Sequence, residues 1–367
     1  MSKKNSNIVF ILISLVMILF ISISIRVMKI SDMITQLAIV LGTFFGAYIV
    51  FSLLYELGKY IFGKANGFKF ISFRLSSSIR AKGKEKATKG YYQKSNFKTL
   101  DLVMYKDKDL NKTSAVMYNI GGSIFNGIII IALLVTALVM QDGDNIRAVL
   151  FISAITGLFV ISQNLIPYNN STSSDGSYLK VISSSDESLR LYYTNLEYMH
   201  HICENKPSAF DYTRFIVNEE FDPVNPTHAT AFVNLIKYYT FKHDFRKANE
   251  LLEEKSAFIT LFVDEIMHDL KLKSIFFKTM IQDEQAMYEQ DNLTGETKDV
   301  SKGKTIDRAI ENYAFNKFVS MDEYASEEAY DQAIKLFEKS PYDGLIEEQK
   351  ELLDYLKEYR FIKIDKY

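Results

Sequence analysis

The sequence predicts an α-helical integral membrane protein of about four spans, with a short membrane-associated β segment and a cytosolic all-α, repeat-like domain. Three observations carry this. Long apolar runs fill the first half of the 367-residue chain and are missing from the second. Charge divides the same way: residues 1–180 hold 20 Lys and Arg against 9 Asp and Glu, whereas the rest hold 23 against 36. The net charge of −2 therefore conceals one basic and one acidic half. Beyond residue 180 the chain turns polar and reads as helices with short breaks. The expected domains are 1–180 in the membrane and 181–367 in the cytosol.

A span needs about 20 mostly apolar residues, and four stretches qualify. Residues 8–25 are uncharged, 34–57 are apolar until Glu56, 117–140 run into IIIIALLVTALVM, and 147–167 read RAVLFISAITGLFVISQNLIP. Lys3 and Lys4 before the first stretch resemble a signal peptide, but no small-x-small cleavage site follows, so a retained anchor is expected. Residues 64–116 carry 13 Lys and Arg against 4 acids. Cytoplasmic loops collect Lys and Arg, which sets this loop, both termini and the acidic half in the cytosol. Arg26 and Lys29 oppose this orientation and are outnumbered. The expected location is the cell membrane, multi-pass.

Within the basic loop, GFKFISFRL (67–75) alternates apolar and polar residues with one slip at 70–71, the pattern of a strand or hairpin at the membrane surface. Its cations suit anionic lipid headgroups; membrane lipids are an expected partner, and nucleic acid is not. The single cysteine, Cys203, excludes an intrachain disulfide framework and suits a reducing compartment. The absence of Trp and the abundance of Lys, Asn, Ile, Phe and Tyr fit a low-GC bacterial gene.

In the second half, Ser185 or Asp186 caps a helix through LRLYYTNLEYMHHIC, and FDPVNPTHAT (221–230) breaks it from the next. ATAFVNLIKYYTF with HDFRKANELLEE, and ENYAFNKFVSMDEY with EEAYDQAIKLFEK, read as two helix pairs. Aligning 243–254 with 328–339 matches Ala248 to Ala333, Leu252 to Phe337 and Phe245 to Tyr330. These positions resemble the second helix of a tetratricopeptide repeat, whose period is about 34 residues; a plain helical bundle is the alternative. Residues 288–304 read as a flexible loop. His200, His201 and Cys203 share one helix, but adjacent residues point about 100° apart, so they are not read as metal ligands.

Four landmarks occur in order in the first half: YELGK (55–59), GFKFISFR (67–74), NIGGSIFN (119–126) and NLIPYNNSTSSDG (164–176). Together they resemble the site-2 protease family of intramembrane zinc metalloproteases, over roughly the first 180 residues. The resemblance implies a His-Glu-x-x-His motif at the cytosolic end of a membrane helix, with two imidazoles on one face and a glutamate acting on metal-bound water. It also implies that Asp175 stands at the third ligand position and Glu56 at the base. Gly121, Gly122 and Asn126 fall on a helix that touches substrate or packs closely, and Asn164, Pro167 and Gly176 fall in the turn before the ligand.

The departure is in the ligands. Tyr55 and Lys59 stand where the family has its two histidines, and all five histidines (His200, His201, His228, His243, His268) lie in the acidic half. A catalytic zinc takes three protein ligands plus water, and a protonated lysine is not a ligand. Glu56 is therefore read as vestigial and no cofactor is expected, zinc belonging only to the alternative of an active protease with an atypical site. Two readings of the charges stand. Lys59 bridges Glu56 and Asp175, with one carboxyl protonated or strongly hydrogen-bonded and the Tyr55 hydroxyl helping, pinning two elements together; or Glu56 and Lys59, near a helix end, snorkel to headgroup water. The third helix likewise has two readings, substrate contact or close packing through small residues. An extended client segment beside the β stretch, added as a strand, needs no catalysis. The expected function is a non-catalytic membrane protein that binds a membrane-embedded peptide or protein client and, through its helical domain, a cytosolic protein. The alternatives are an intramembrane metalloprotease and an accessory or immunity subunit of a peptide exporter.

Overall fold

In the computed structural model of the chain, the described residues are 32–76, 78–89, 100–106, 110–140, 144–167, 173–302 and 305–360, with 11, 14, 15, 18, 19, 22, 28 and 30. Among the described residues the chain is mostly helical, with one small sheet and three helices long and apolar enough to cross a membrane. The expected span at 8–25 lies outside the described residues, save for the few positions just given.

Helix α1 (Met33–Ala65) begins where the Asp32 carboxylate accepts the Thr35 N–H at 2.8 Å. It ends at Asn66, followed by Gly67 at φ +83°, a left-handed residue that stops the helix. It thus runs eight residues past the expected end of the span at 57. Helix α2 (Lys112–Val139) is capped by Asn111, whose side chain accepts the Ser114 N–H. Helix α3 (Asp144–Leu165) stops two residues before Pro167, which disfavours helical backbone in its predecessor.

These helices wear their apolar side chains outward. Leu37, Phe45, Ile49 and Leu53 on α1, and Ile128, Ile131, Val135 and Leu138 on α2, are all exposed. Such faces are a liability in water and the normal outer surface of a helix in lipid. Inward, Phe51, Tyr55, Ile130, Ala154 and Val160 form a small core. Helices α1 and α2 meet backbone to backbone: a Cβ on Gly122 would lie 2.5 Å from the Tyr55 carbonyl oxygen, and one on Gly121 2.5 Å from Phe62 Cβ. The close-packing reading of the glycine pair is therefore the one the geometry favours.

Strands β1 (Lys69–Leu75), β2 (Ser78–Ala81), β3 (Thr88–Lys89) and β4 (Leu100–Tyr105) form a sheet in the order β3-β2-β1-β4. β1 and β2 pair antiparallel, Ser72 opposite Ala81 and Leu75 opposite Ser78. The alternation slips one position later than expected: Phe70 is half-buried, and Ile71 and Ser72 are buried in succession.

The chain divides into two compact units, one of Met1–Phe70, Leu100–Tyr193 and Asn225–Thr227, the other of Ile71–Thr99, Thr194–Val224 and His228–Tyr367. Helices α4 (Asp175–Ser184) and α5 (Asp186–His201) follow the last apolar helix, and Ser185, rather than Asp186, caps α5 by accepting the Ser188 N–H. The remaining helices are α6 (Pro226–Phe241), α7 (Phe245–Glu254), α8 (Asp264–Met280), α9 (Gln285–Asp291), α10 (Gly295–Ser301), α11 (Ile306–Phe315), α12 (Glu323–Phe337) and α13 (Asp343–Glu358). Ala248 on α7 and Ala333 on α12 are fully buried and Leu252 and Phe337 are buried, whereas the third aligned pair differs, Phe245 being buried and Tyr330 half-buried.

Two boundaries differ from expectation. Residues 288–304 are not a plain loop: they hold the end of α9 and all of α10, tied down by a 2.7 Å bond between His268 Nδ1 and Thr297 Oγ1. The helix expected through Tyr324 breaks earlier. A π-helical turn (Asn316–Ser320) leads to Met321 at φ +52°, and Asp322 then caps α12 by accepting the Ala325 N–H.

Candidate functional site

Tyr55, Glu56 and Lys59 occupy one stretch of α1, and Asp175 is the first residue of α4. Their neighbourhood is built by the turn between α3 and α4. Asn164 ties back to the Val160 carbonyl at 2.9 Å, and the Ser174 hydroxyl donates to the Ile166 carbonyl at 2.7 Å. Gly176 lets the turn close, since a Cβ there would lie 1.9 Å from the Leu165 carbonyl oxygen. Ser174 then caps α4, leaving the Asp175 carboxylate at a helix N-terminus, where partial positive charge favours it.

The four side chains meet. Lys59 Nζ lies 3.3 Å from Asp175 Oδ2 and 3.8 Å from Glu56 Oε2. The Tyr55 hydroxyl donates to Asp175 Oδ2 at 3.0 Å. All four are buried, Lys59 at 3 % exposure and Tyr55 at 1 %. Snorkelling is thus not what Lys59 does. The reason lies in helix length: α1 continues six residues beyond Lys59, about 9 Å at 1.5 Å per residue, so the lysine is not at a helix end. The ammonium also sits 5.4 Å from the centre of the Tyr118 ring, a cation–π distance.

Hydrogen bonds complete the group. Glu56 Oε2 accepts the backbone N–H of Leu102 on β4 at 3.1 Å, while the Tyr118 hydroxyl donates to the Leu102 carbonyl at 2.8 Å. Asn119 donates to the Tyr192 hydroxyl at 2.8 Å. Tyr118, Asn119 and Leu102 are participants that sequence reasoning did not single out. The usable signal was the position of Tyr118, three residues before Gly121 and therefore on the face of α2 that meets α1.

Asn126 stands apart. It is fully buried and donates to the Phe51 carbonyl at 3.0 Å, one turn of α1 away from Tyr55, so it joins α1 to α2 rather than entering the ionic group. Pro167 bounds the turn without touching the cluster through any described bond.

The arrangement does not fit zinc. A zinc–carboxylate bond is about 2.0–2.2 Å, and here an ammonium holds the position facing the Asp175 oxygens. Among the described residues no three His, Cys, Asp or Glu side chains converge as metal ligands would. The histidines have other work: His200 Nε2 lies 2.7 Å from Lys82 Nζ, and His201 Nε2 lies 2.9 Å from the Lys206 carbonyl oxygen.

The second unit has a buried ionic group of its own. Lys273 donates to Glu311 at 3.0 Å, Arg308 pairs with both Glu311 and Asp269, and Gln349 donates to Asp307 at 2.7 Å. Lys273, Arg308 and Glu311 are each less than a tenth exposed. No reading of the sequence anticipated it.

No protein-family model matches the chain, and neither curated proteins nor solved structures yield a match.

Proposed function

We propose that this chain is a non-catalytic, site-2-protease-like, multi-pass membrane protein that holds a membrane-embedded peptide or protein client. Both termini face the cytosol in this reading, and the acidic helical half engages a cytosolic protein partner. The observation that carries it is the position of Lys59. Its ammonium lies 3.3 Å from Asp175 and bridges it to Glu56, at the place where the resemblance calls for a metal between two imidazoles and a carboxylate. Lys59 supplies one positive charge without Lewis acidity or a bound water. A glutamate committed to an ammonium and to a backbone N–H is not free to act as a base. What remains is a rigid, charge-pinned set of helices whose outer faces are apolar, suited to holding rather than cutting.

The test compares partners recovered with wild type and with Glu56→Gln from native membranes. A holding protein yields the same full-length partners with both. A protease yields truncated partners with wild type and intact ones with the variant, and that result would overturn the proposal. Cysteine labelling across the membrane at residue 84 and at residue 142 checks orientation: the first is expected to react only from the cytosolic side, the second only from outside.

A further inference from the structure

β4 ends the sheet, so among the described residues no strand lies beside one side of its backbone. Leu102, in the middle of β4, is nonetheless 5 % exposed, and a buried backbone group must find a partner. A residue in a strand points its N–H and C=O to the same side. At Leu102 both groups are taken by side chains: the N–H by the Glu56 carboxylate at 3.1 Å, the C=O by the Tyr118 hydroxyl at 2.8 Å. A neighbouring strand would offer one acceptor and one donor at the same two points.

We propose that Glu56 and Tyr118 stand in for a missing neighbouring strand, and that they hold the outer edge of β4 shut at Leu102. The carboxylate oxygen that accepts the Leu102 N–H is also the one facing Lys59. That shared oxygen couples the edge of the sheet to the ion cluster. An open edge is a template for unwanted pairing; here two side chains from α1 and α2 blunt it. Any extended segment that adds to β4 at this point must first displace both. The inference does not depend on which client, if any, the chain holds.

Amide hydrogen exchange at Leu102, measured on the full chain in lipid nanodiscs, tests this. In wild type the Leu102 N–H exchanges slowly, although it lies on the strand's open side. Glu56→Ala raises the rate about tenfold or more, and Glu56→Gln, whose amide oxygen still accepts, raises it far less. Lys59→Met raises it as well. Amides of α2 at 129–133 serve as the control that the helices are folded. If Glu56→Ala does not fold, Tyr118→Phe, which removes one oxygen atom, gives the second reading: a rate raised about threefold is expected. Free exchange at Leu102 in wild type, or a rate unchanged in both Glu56→Ala and Tyr118→Phe, overturns the proposal.

Discussion

The two buried ionic groups are built from the same parts and balanced differently. In the apolar unit, Lys59 faces both Glu56 and Asp175, and the Tyr55 hydroxyl, the Leu102 N–H and the N-terminus of α4 also meet these carboxyl groups. In the helical unit, Asp269, Asp307 and Glu311 face Lys237, Lys273 and Arg308, so the charges cancel among themselves. Lys59 contacts both carboxyl groups of its cluster, whereas Glu311 is met by Lys273 and Arg308 together. Lys59 is the more critical lysine for that reason.

The largest expected effect follows directly. Removing one partner of a buried pair costs about 3–5 kcal/mol. Lys59→Met removes the ammonium that contacts both Glu56 and Asp175, placing it at the top of that range, while Lys273→Met leaves Arg308 on Glu311 and falls at or below about 3 kcal/mol. Thermal denaturation of both variants in the same detergent ranks them, and equal losses would erase the distinction. Adding Asp175→Asn to Lys59→Met should recover part of the loss, because it removes one of the stranded charges.

A smaller effect separates close approach from mere flexibility. Gly176→Ala drives a Cβ to 1.9 Å from the Leu165 oxygen, which is backbone and cannot swing aside. About 1–3 kcal/mol of destabilisation is expected. Gly42→Ala, with nothing within 4 Å, should be neutral or stabilise α1 by about 0.5–1 kcal/mol. The two melting temperatures should move in opposite directions or, at the least, by clearly different amounts.

The smallest effect is one of pH and belongs to the helical unit. Burial pushes the Asp307 carboxyl upward, but Lys273, Lys237 and Arg308 outweigh it and bring its pKa down to about 2. The value in the unfolded chain is about 3.9. Asp307 therefore contributes stability that is complete above pH about 4 and fades as the pH falls toward 2. Asp307→Asn should flatten the acid limb of the stability curve over that window. Unchanged acid sensitivity in the variant assigns the loss to other carboxylates.

The contrast between the two groups also explains what the sequence makes legible. Charges in an apolar helix stand out, so Glu56 and Lys59 draw notice at once, and the Asp-Gly after Asn-x-x-Pro supplies their partner. The β1 strand is legible from its alternation. Lys273, Arg308 and Glu311 are not, because in a polar helical segment the same residues read as a solvated face; only tertiary packing buries them. Leu102 is hidden for another reason. Its partner Glu56 is 46 residues away, and β4 (LDLVMY) is too weakly alternating to announce an edge. The end of α1 is set by Asn66 and Gly67, whereas hydropathy alone stops at the first charge.

Metal content of the purified full-length protein, before and after incubation with zinc, tests directly whether an ammonium has replaced a cation site here. Only traces of zinc, unaffected by Asp175→Asn, are expected. One zinc per chain, retained through dialysis and lost on substituting Asp175, would contradict the account.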